Sequence, residues 1–275
     1  MNDNKVIFFS GSSSGIGWEL LQRLVQREFF LILPVRNYGS KPHLKELVNK
    51  YSNKIEIIEI DLGDVRSFTN QEVLNKIKQY EKIDILLHNA GIYTHSKKLN
   101  NGIELQWLVN YIAPAYLTLQ FKEQLSKSDF PQVLFVSSRM HYMAKIDFED
   151  IQYSKSYNGQ LAYANSKFAI TAFCMYLAEK WKDMHINACH PGVYATGITR
   201  DLPFIVKFLW NVFIPEPKEG ADVLYKLLFS QEYNQYTGTY FDKLTIAKAH
   251  KNCYDKEIQQ KLLNFLEEVI SFAKA

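Results

Sequence analysis

The sequence predicts an α/β fold: a doubly wound parallel sheet in a single domain spanning residues 1–275. Three observations predict it. Short apolar runs of strand length alternate with helix-length stretches along the chain. The first run ends in a glycine-rich turn, Ser10-Gly11-Ser12-Ser13-Ser14-Gly15-Ile16-Gly17. No repeat or low-complexity linker divides the chain, and 275 residues with 47% hydrophobic content suit one sizeable core.

The elements follow in order. Val6-Ile7-Phe8-Phe9 reads as a buried strand, and residues 15–26 as a helix with Ile16, Leu20, Leu24 and Val25 near one face. Residues 29–33 form a second strand run, 45–51 a helix, and 55–60, where Ile and Glu alternate, a third strand. Residues 73–80 read as helix, 83–87 as a fourth strand closed by Asn89-Ala90-Gly91, and 105–125 as a long helix despite Pro114. Residues 133–136 form a fifth strand, 161–181 a helix without internal Gly or Pro, and 186–189 a sixth strand stopped by Pro191-Gly192. A helix over 220–230, a short strand near Tyr240-Phe241 and a helix from Asp255 complete the series. Such alternation argues for a parallel sheet covered on both faces.

The composition excludes several classes. The net charge is +3 with no dense basic run, so nucleic acid is not the expected partner. Cys174, Cys189 and Cys253 include no CxxC pair, which fits a reducing compartment rather than a disulfide framework. No signal peptide is expected before the first strand, so the chain is expected inside the cell, cytoplasmic or peripheral to an internal membrane, and not secreted. No apolar stretch reaches the roughly 20 residues of a bilayer span. The histidines show no metal-ligand spacing, and no metal is expected.

The glycine turn carries the first chemistry. Gly11 permits the turn out of the strand, Gly15 lets backbone approach a pyrophosphate, and Gly17 lets the helix pack close to the sheet. The helix behind it offers unpaired N–H groups and the positive end of its dipole. A flexible Gly/Ser loop is the plainer alternative, and placement between first strand and first helix argues against it. The second strand ends in Leu33-Pro34-Val35-Arg36-Asn37, without the acid that would grip a ribose 2′-hydroxyl. Arg36 stands where a 2′-phosphate would lie and suits bidentate pairing with it, so NADP(H) is expected over NAD(H). The alternative is a surface arginine.

Tyr163 and Lys167 stand four apart on a predicted helix and so share a face. Alone the pair is an ordinary surface motif. Ser137-Ser138 at a strand end, Asn110 on the preceding helix and the Asn89-Ala90-Gly91 strand end alter that reading. Taken together, SGSSSGIG, HNAG, the asparagine of Leu108-Val109-Asn110, VSS, YANSK and HPG resemble the short-chain dehydrogenase/reductase family in order and approximate spacing. Residues 102–106, 157–167, 190–193 and Arg36-Asn37 look most like its retinol-dehydrogenase-like branch. The resemblance covers residues 5 to about 200.

The resemblance implies a Rossmann-type fold and a catalytic tetrad of Asn110, Ser138, Tyr163 and Lys167. It also implies cofactor contacts from Gly11, Ser13, Ser14, Gly15, Ile16, Gly17, Arg36, Asp61, Leu62, Asn89, Ala90, Gly91, Tyr163, Lys167, Pro191, Gly192, Val193 and Thr196. In that chemistry a carbonyl gaining hydride becomes an alkoxide, and Tyr163 supplies its proton. A free phenol titrates near 10, and the Lys167 ammonium lowers that value. Ser138 holds the substrate oxygen, and by analogy Asn110 anchors a water linked to Lys167. Ser137 is read as a local hydrogen-bonding residue, and core or hydrogen-bonding roles are expected for His141 and His190. His88, Ser10 and Pro34 depart from the family pattern.

Beyond Thr196 the chain turns apolar over 204–214. The family's matching region is a substrate lid, assigned here to 197–219. It suits a lipophilic alcohol, aldehyde or ketone of the retinoid, steroid or fatty-aldehyde class. Peripheral membrane contact or a partner protein through 204–214 are the competing uses, and a homo-oligomer stays open. The rival function is a non-catalytic nucleotide-binding accessory subunit of a larger assembly.

Overall fold

The computed structural model describes residues 5–192 and 216–274, with side chains through residue 272. Val193, Thr196 and the segment 197–215, which holds most of the expected lid and the apolar run 204–214, lie outside the described residues.

The chain opens with β1 (Val6–Ser10), α1 (Gly15–Leu24), β2 (Phe30–Val35), α2 (Pro42–Lys50) and β3 (Ile55–Glu59). Two short helices, α3 (Val65–Phe68) and α4 (Gln71–Lys78), lead to β4 (Ile85–His88). A small hairpin of β5 (Leu99–Asn100) and β6 (Ile103–Glu104) precedes α5 (Leu105–Trp107). A π-helical turn (Leu108–Ile112) then connects to α6 (Ala113–Gln120) and α7 (Lys122–Ser126). The second half carries β7 (Gln132–Val136), α8 (Gly159–Lys180), β8 (His185–His190), α9 (Pro217–Phe229), β9 (Tyr240–Asp242), β10 (Thr245–Ala247) and α10 (Lys256–Lys274).

The main sheet has the order β10-β9-β8-β7-β4-β1-β2-β3. Every pairing is parallel except that of β9 with β10. This is the doubly wound, Rossmann-type sheet that the alternation predicts. The order reverses between β1 and β4, so the crevice beyond their C-terminal ends is where such folds bind ligands. The hairpin and β10 are additions with no clear signal in the sequence.

Strand periodicity divides the core. Phe8, Ile32 and Leu86 face one layer, with Trp107, Tyr111 and Phe173 packed against them. Ile7, Phe9, Leu31 and Leu87 face the other, with Leu20, Leu24 and Phe229. Both faces of β1 are therefore dry, which is why its sequence is an unbroken apolar run. Each such large side chain contributes roughly 1.5–3 kcal/mol on burial. Stacking of Phe29, just before β2, on Phe229 at the end of α9 has centroids 5.1 Å apart.

Two local departures have physical reasons. The long helix expected over 105–125 is divided by the π turn directly before Pro114, which sits in the first turn of α6. Proline has no N–H to give the ladder, and a π turn absorbs the mismatch. Pro34 does lie in β2. The N–H groups of β2 alternate: Phe30 donates to Lys5 O and Leu31 to Lys54 O. Pro34 therefore faces β1, where the register stops at Phe8–Ile32, and no ladder bond is lost.

Candidate active site

The glycine turn is held from β4. Gly11 and Gly15 have φ of 73° and 55°. A Cβ on Gly17 would stand 1.9 Å from the Gly11 carbonyl oxygen, and one on Gly11 2.6 Å from Ala90 N. No side chain fits either place, so the loop must be glycine. Asn89 Nδ2 donates to Gly11 O at 3.0 Å, and Ala90 N donates to Ser10 Oγ at 3.3 Å. The start of α1 thus faces the crevice, with no acid in its first turn and no side chain from Ser14 capping it. Ser12 Oγ is buried with no partner among the described residues. A cradle that excludes Cβ atoms, at the positive end of a helix, fits a dinucleotide pyrophosphate.

Arg36 leaves the end of β2 and is well exposed. Its Nη1 lies 3.7 Å from Asp61 Oδ2, so the residues expected to recognise the two sides of an adenosine are neighbours. Asp61 Oδ1 accepts from Gly63 N at 2.9 Å, which orients the carboxylate, while Leu62 beside it is half-buried. His43, absent from the expected set, reaches the glycine turn: its Nε2 donates to Ser13 O at 3.0 Å. It stands near the start of α2, too far along the chain for spacing alone to place it there.

The four residues of the expected tetrad converge beside this turn. Tyr163 and Lys167 lie one turn apart on α8, with Lys167 Nζ 5.8 Å from the Tyr163 ring centroid. Lys167 Nζ donates to Val136 O at 2.8 Å, at the end of β7. Desolvation pushes the half-buried Tyr163 phenol up to about 12, and the Ser138 side chain acts in the opposite sense. Burial also lowers the Lys167 ammonium to about 8. A Cβ on Gly91 would lie 3.1 Å from Lys167 Nζ and 3.4 Å from Asn110 Oδ1, so this glycine is the floor on which amine and amide meet. Asn110 sits in the π turn. Its Oδ1 accepts from Ile92 N at 2.8 Å, and its Nδ2 donates to Ile92 O and Ser166 Oγ, each at 3.0 Å. Pro191 and Gly192 end β8 on the same rim of the sheet.

A family model described as short chain dehydrogenase matches residues 5–203. The chain belongs to the short-chain dehydrogenase family. Human retinol dehydrogenase 14 is 30% identical over 227 residues, covering 78% of this chain and 67% of that protein. Mouse retinol dehydrogenase 12 is 26% identical over 277 residues, covering 97% of this chain and 86% of that protein. Among solved structures, an NADPH-bound carbonyl reductase from chicken fatty liver superposes with a TM-score of 0.69 at 17% identity, over 90% of this chain and 99% of that one. A 4-hydroxyisoleucine dehydrogenase complexed with NADH gives 0.68 at 20% identity, over 87% and 96% of the two chains.

As a short-chain dehydrogenase the chain is an oxidoreductase by family, and the neighbouring motif residues take ordinary structural places. Ser137 Oγ bonds Thr171 Oγ1 at 2.6 Å and Lys167 O at 3.2 Å, the local role expected of it. His88 is buried, bonded through Nε2 to Thr118 Oγ1 at 2.8 Å and stacked on Phe135. Burial lowers it to about 3, so it is neutral. Tyr93 was missed: its ring meets Tyr163 edge-on, centroids 5.7 Å apart. Its only signal is position, just beyond the C-terminal end of β4, where side chains reach the crevice. Among the described residues no cluster of His, Cys, Asp or Glu could hold a metal. No helix among them is long and apolar enough to cross a membrane.

Proposed function

We propose that this short-chain dehydrogenase uses NADP(H) to interconvert a lipophilic alcohol with its aldehyde or ketone, with Tyr163 as the acid and base. The observation that carries the reading is the Tyr163 phenol one helical turn from the Lys167 amine, which the Val136 carbonyl anchors at 2.8 Å. Gly11, Ser13, Ser14, Gly15, Ile16 and Gly17 would hold the pyrophosphate. Arg36 would take the 2′-phosphate, while Asp61, Leu62, Asn89, Ala90 and Gly91 would line the adenosine. When bound, the nicotinamide gives or takes the hydride.

The chain's own residues handle the proton. With its phenol raised to about 12, Tyr163 is protonated at neutral pH and ready to donate to an alkoxide. Ser138 would hold the substrate oxygen as charge develops there. In the oxidation direction the phenol must first lose its proton. The Lys167 ammonium, still largely charged at pH 7, stabilises the phenolate. Asn110 fixes the loop at Ile92, the turn beneath both groups. The retinol dehydrogenases among the relatives support a lipophilic substrate class. Arg36 at the end of β2 supports the cofactor choice, while the neighbouring structures hold NADPH in one case and NADH in another.

The test is Tyr163→Phe assayed with NADPH against retinaldehyde, a 3-ketosteroid and decanal. Wild type turns over at least one of them. The variant loses about 10²–10⁴-fold in kcat and keeps NADPH affinity. Turnover by the variant at the wild-type rate refutes the assignment.

A further inference from the structure

His141 is fully buried three residues beyond Ser138, and the reading above gives it no task. Its hydrogen bonds settle its protonation. Nε2 lies 3.1 Å from the backbone N–H of His250, which can only donate. Nε2 is therefore the bare nitrogen, and Nδ1 carries the hydrogen. Nδ1 donates to the Ser138 carbonyl at 2.7 Å. The His141 backbone N–H donates to the same carbonyl at 3.0 Å. Ser138 also caps the short 3₁₀ turn Arg139–Met143, its Oγ accepting from Met140 N.

The far end of this strut returns to the catalytic helix. The His250 ring meets Phe168 edge-on, centroids 5.5 Å apart, and Phe168 adjoins Lys167 on α8. His250 Nδ1 accepts from Asn252 N at 3.2 Å, so that ring too is held. Tyr142 and Tyr240 pack on the His141 imidazole, with centroids 3.9 and 4.5 Å away. The chain of contacts runs Phe168, His250, His141, Ser138. It closes a loop between the helix bearing Tyr163 and the strand end bearing Ser138.

We infer that His141 is a positioning residue: its Nδ1 donates to the Ser138 carbonyl and holds the turn that carries the Ser138 hydroxyl beside α8, while the His250 N–H at Nε2 fixes the tautomer that makes Nδ1 the donor. This inference rests on Ser138 and Tyr163 acting as proposed above. A hydroxyl that must meet a substrate oxygen and a phenol at once tolerates little drift, since a misplacement of about 1 Å can cost 10²-fold in rate.

Two amide variants separate the two bonds. In His141→Asn the side-chain amide places a donor where Nδ1 stands and cannot reach His250. In His141→Gln the amide oxygen reaches the Nε2 position and no donor stands at Nδ1. With NADPH and the best substrate of the same panel, His141→Gln loses roughly 10–100-fold in kcat. Its NADPH affinity is unchanged. His141→Asn keeps kcat within about threefold of wild type while its Tm falls, because a buried N–H of His250 loses its partner. The inference is overturned if His141→Gln keeps wild-type kcat per folded molecule, or if both variants lose kcat equally. Ser138→Ala is the control for the underlying reading. Full turnover by Ser138→Ala removes that reading itself, whatever the His141 variants do.

Discussion

The Lys167 amine lies 5.8 Å from the centroid of the Tyr163 ring, and both side chains project from one face of α8 toward the end of β7. The amine is anchored by the Val136 carbonyl, so it cannot swing away from the phenol without losing a buried hydrogen bond. This makes Lys167 a fixed positive charge beside the phenol that the proposed chemistry would ionise.

Replacing that charge has a signed consequence. In Lys167→Met the phenol loses the cation that favours its ionised form, so its pKa rises further. Alcohol oxidation falls by about 10²–10⁴-fold at pH 7, and the rising limb of its pH–rate profile moves to higher pH. A profile that keeps its midpoint in the variant contradicts this role.

The Arg36 side chain tests the cofactor choice. Losing a charge-assisted bond of about 1.5–3 kcal/mol predicts that Arg36→Ala weakens NADPH binding roughly 10–100-fold. NADH, which has no 2′-phosphate, binds with unchanged affinity. Fluorescence titration of both cofactors reads the difference, and parallel losses for the two argue against the assignment.

Three buried histidines predict acid lability. Burial lowers His88 to about 3 and His141 and His190 to about 4. Each folded value lies below the ordinary 6.5, so the unfolded chain binds more protons below that pH. The stability from neutral burial is fully present above pH 6.5. It is lost progressively as pH falls toward 4 for His141 and His190, and toward 3 for His88. The slope is up to ~1.4 kcal/mol per pH unit for each group. Urea unfolding at pH 7, 6 and 5 should show ΔG dropping with an increasing slope. His88→Asn should flatten it.

A second buried network bears on stability rather than chemistry. Glu104 is fully buried, with Oε1 accepting from Tyr157 OH and Oε2 from Trp107 N, each at 2.9 Å. Gln106 Nε2 donates to the same Tyr157 oxygen at 2.8 Å, and Gln106 Oε1 accepts from Thr94 N at 3.3 Å. Burial raises the Glu104 carboxyl above its usual range, against these donors. Tyr157→Phe removes one donor from a buried carboxyl and one acceptor from Gln106, so it should destabilise by roughly 1–3 kcal/mol. An unchanged urea midpoint would show that the hydroxyl contributes nothing.

Much of this was legible in the chain. The glycine turn, the Tyr163–Lys167 spacing and the strand ends at Asn89, Ser138 and Pro191 are local patterns, and local patterns survive folding because their geometry is set within a few residues. Other features were not legible. The π turn at Asn110 comes from Pro114 and from contacts of Asn110 with Ile92 and Ser166, the latter 56 positions away. The antiparallel β10 has only three residues, too few for a periodic signal.

The sequence by itself determined the sheet, its apolar strands, the nucleotide turn and the residue types of the site, because hydrophobic period and glycine placement act at short range. Only the tertiary structure decided that Lys167 reaches Val136, that Arg36 adjoins Asp61, and that His141 meets His250. Those meetings join residues 25 to 109 positions apart. They exist because parallel crossovers bring strand ends together at one rim, a relation that no local window of sequence contains.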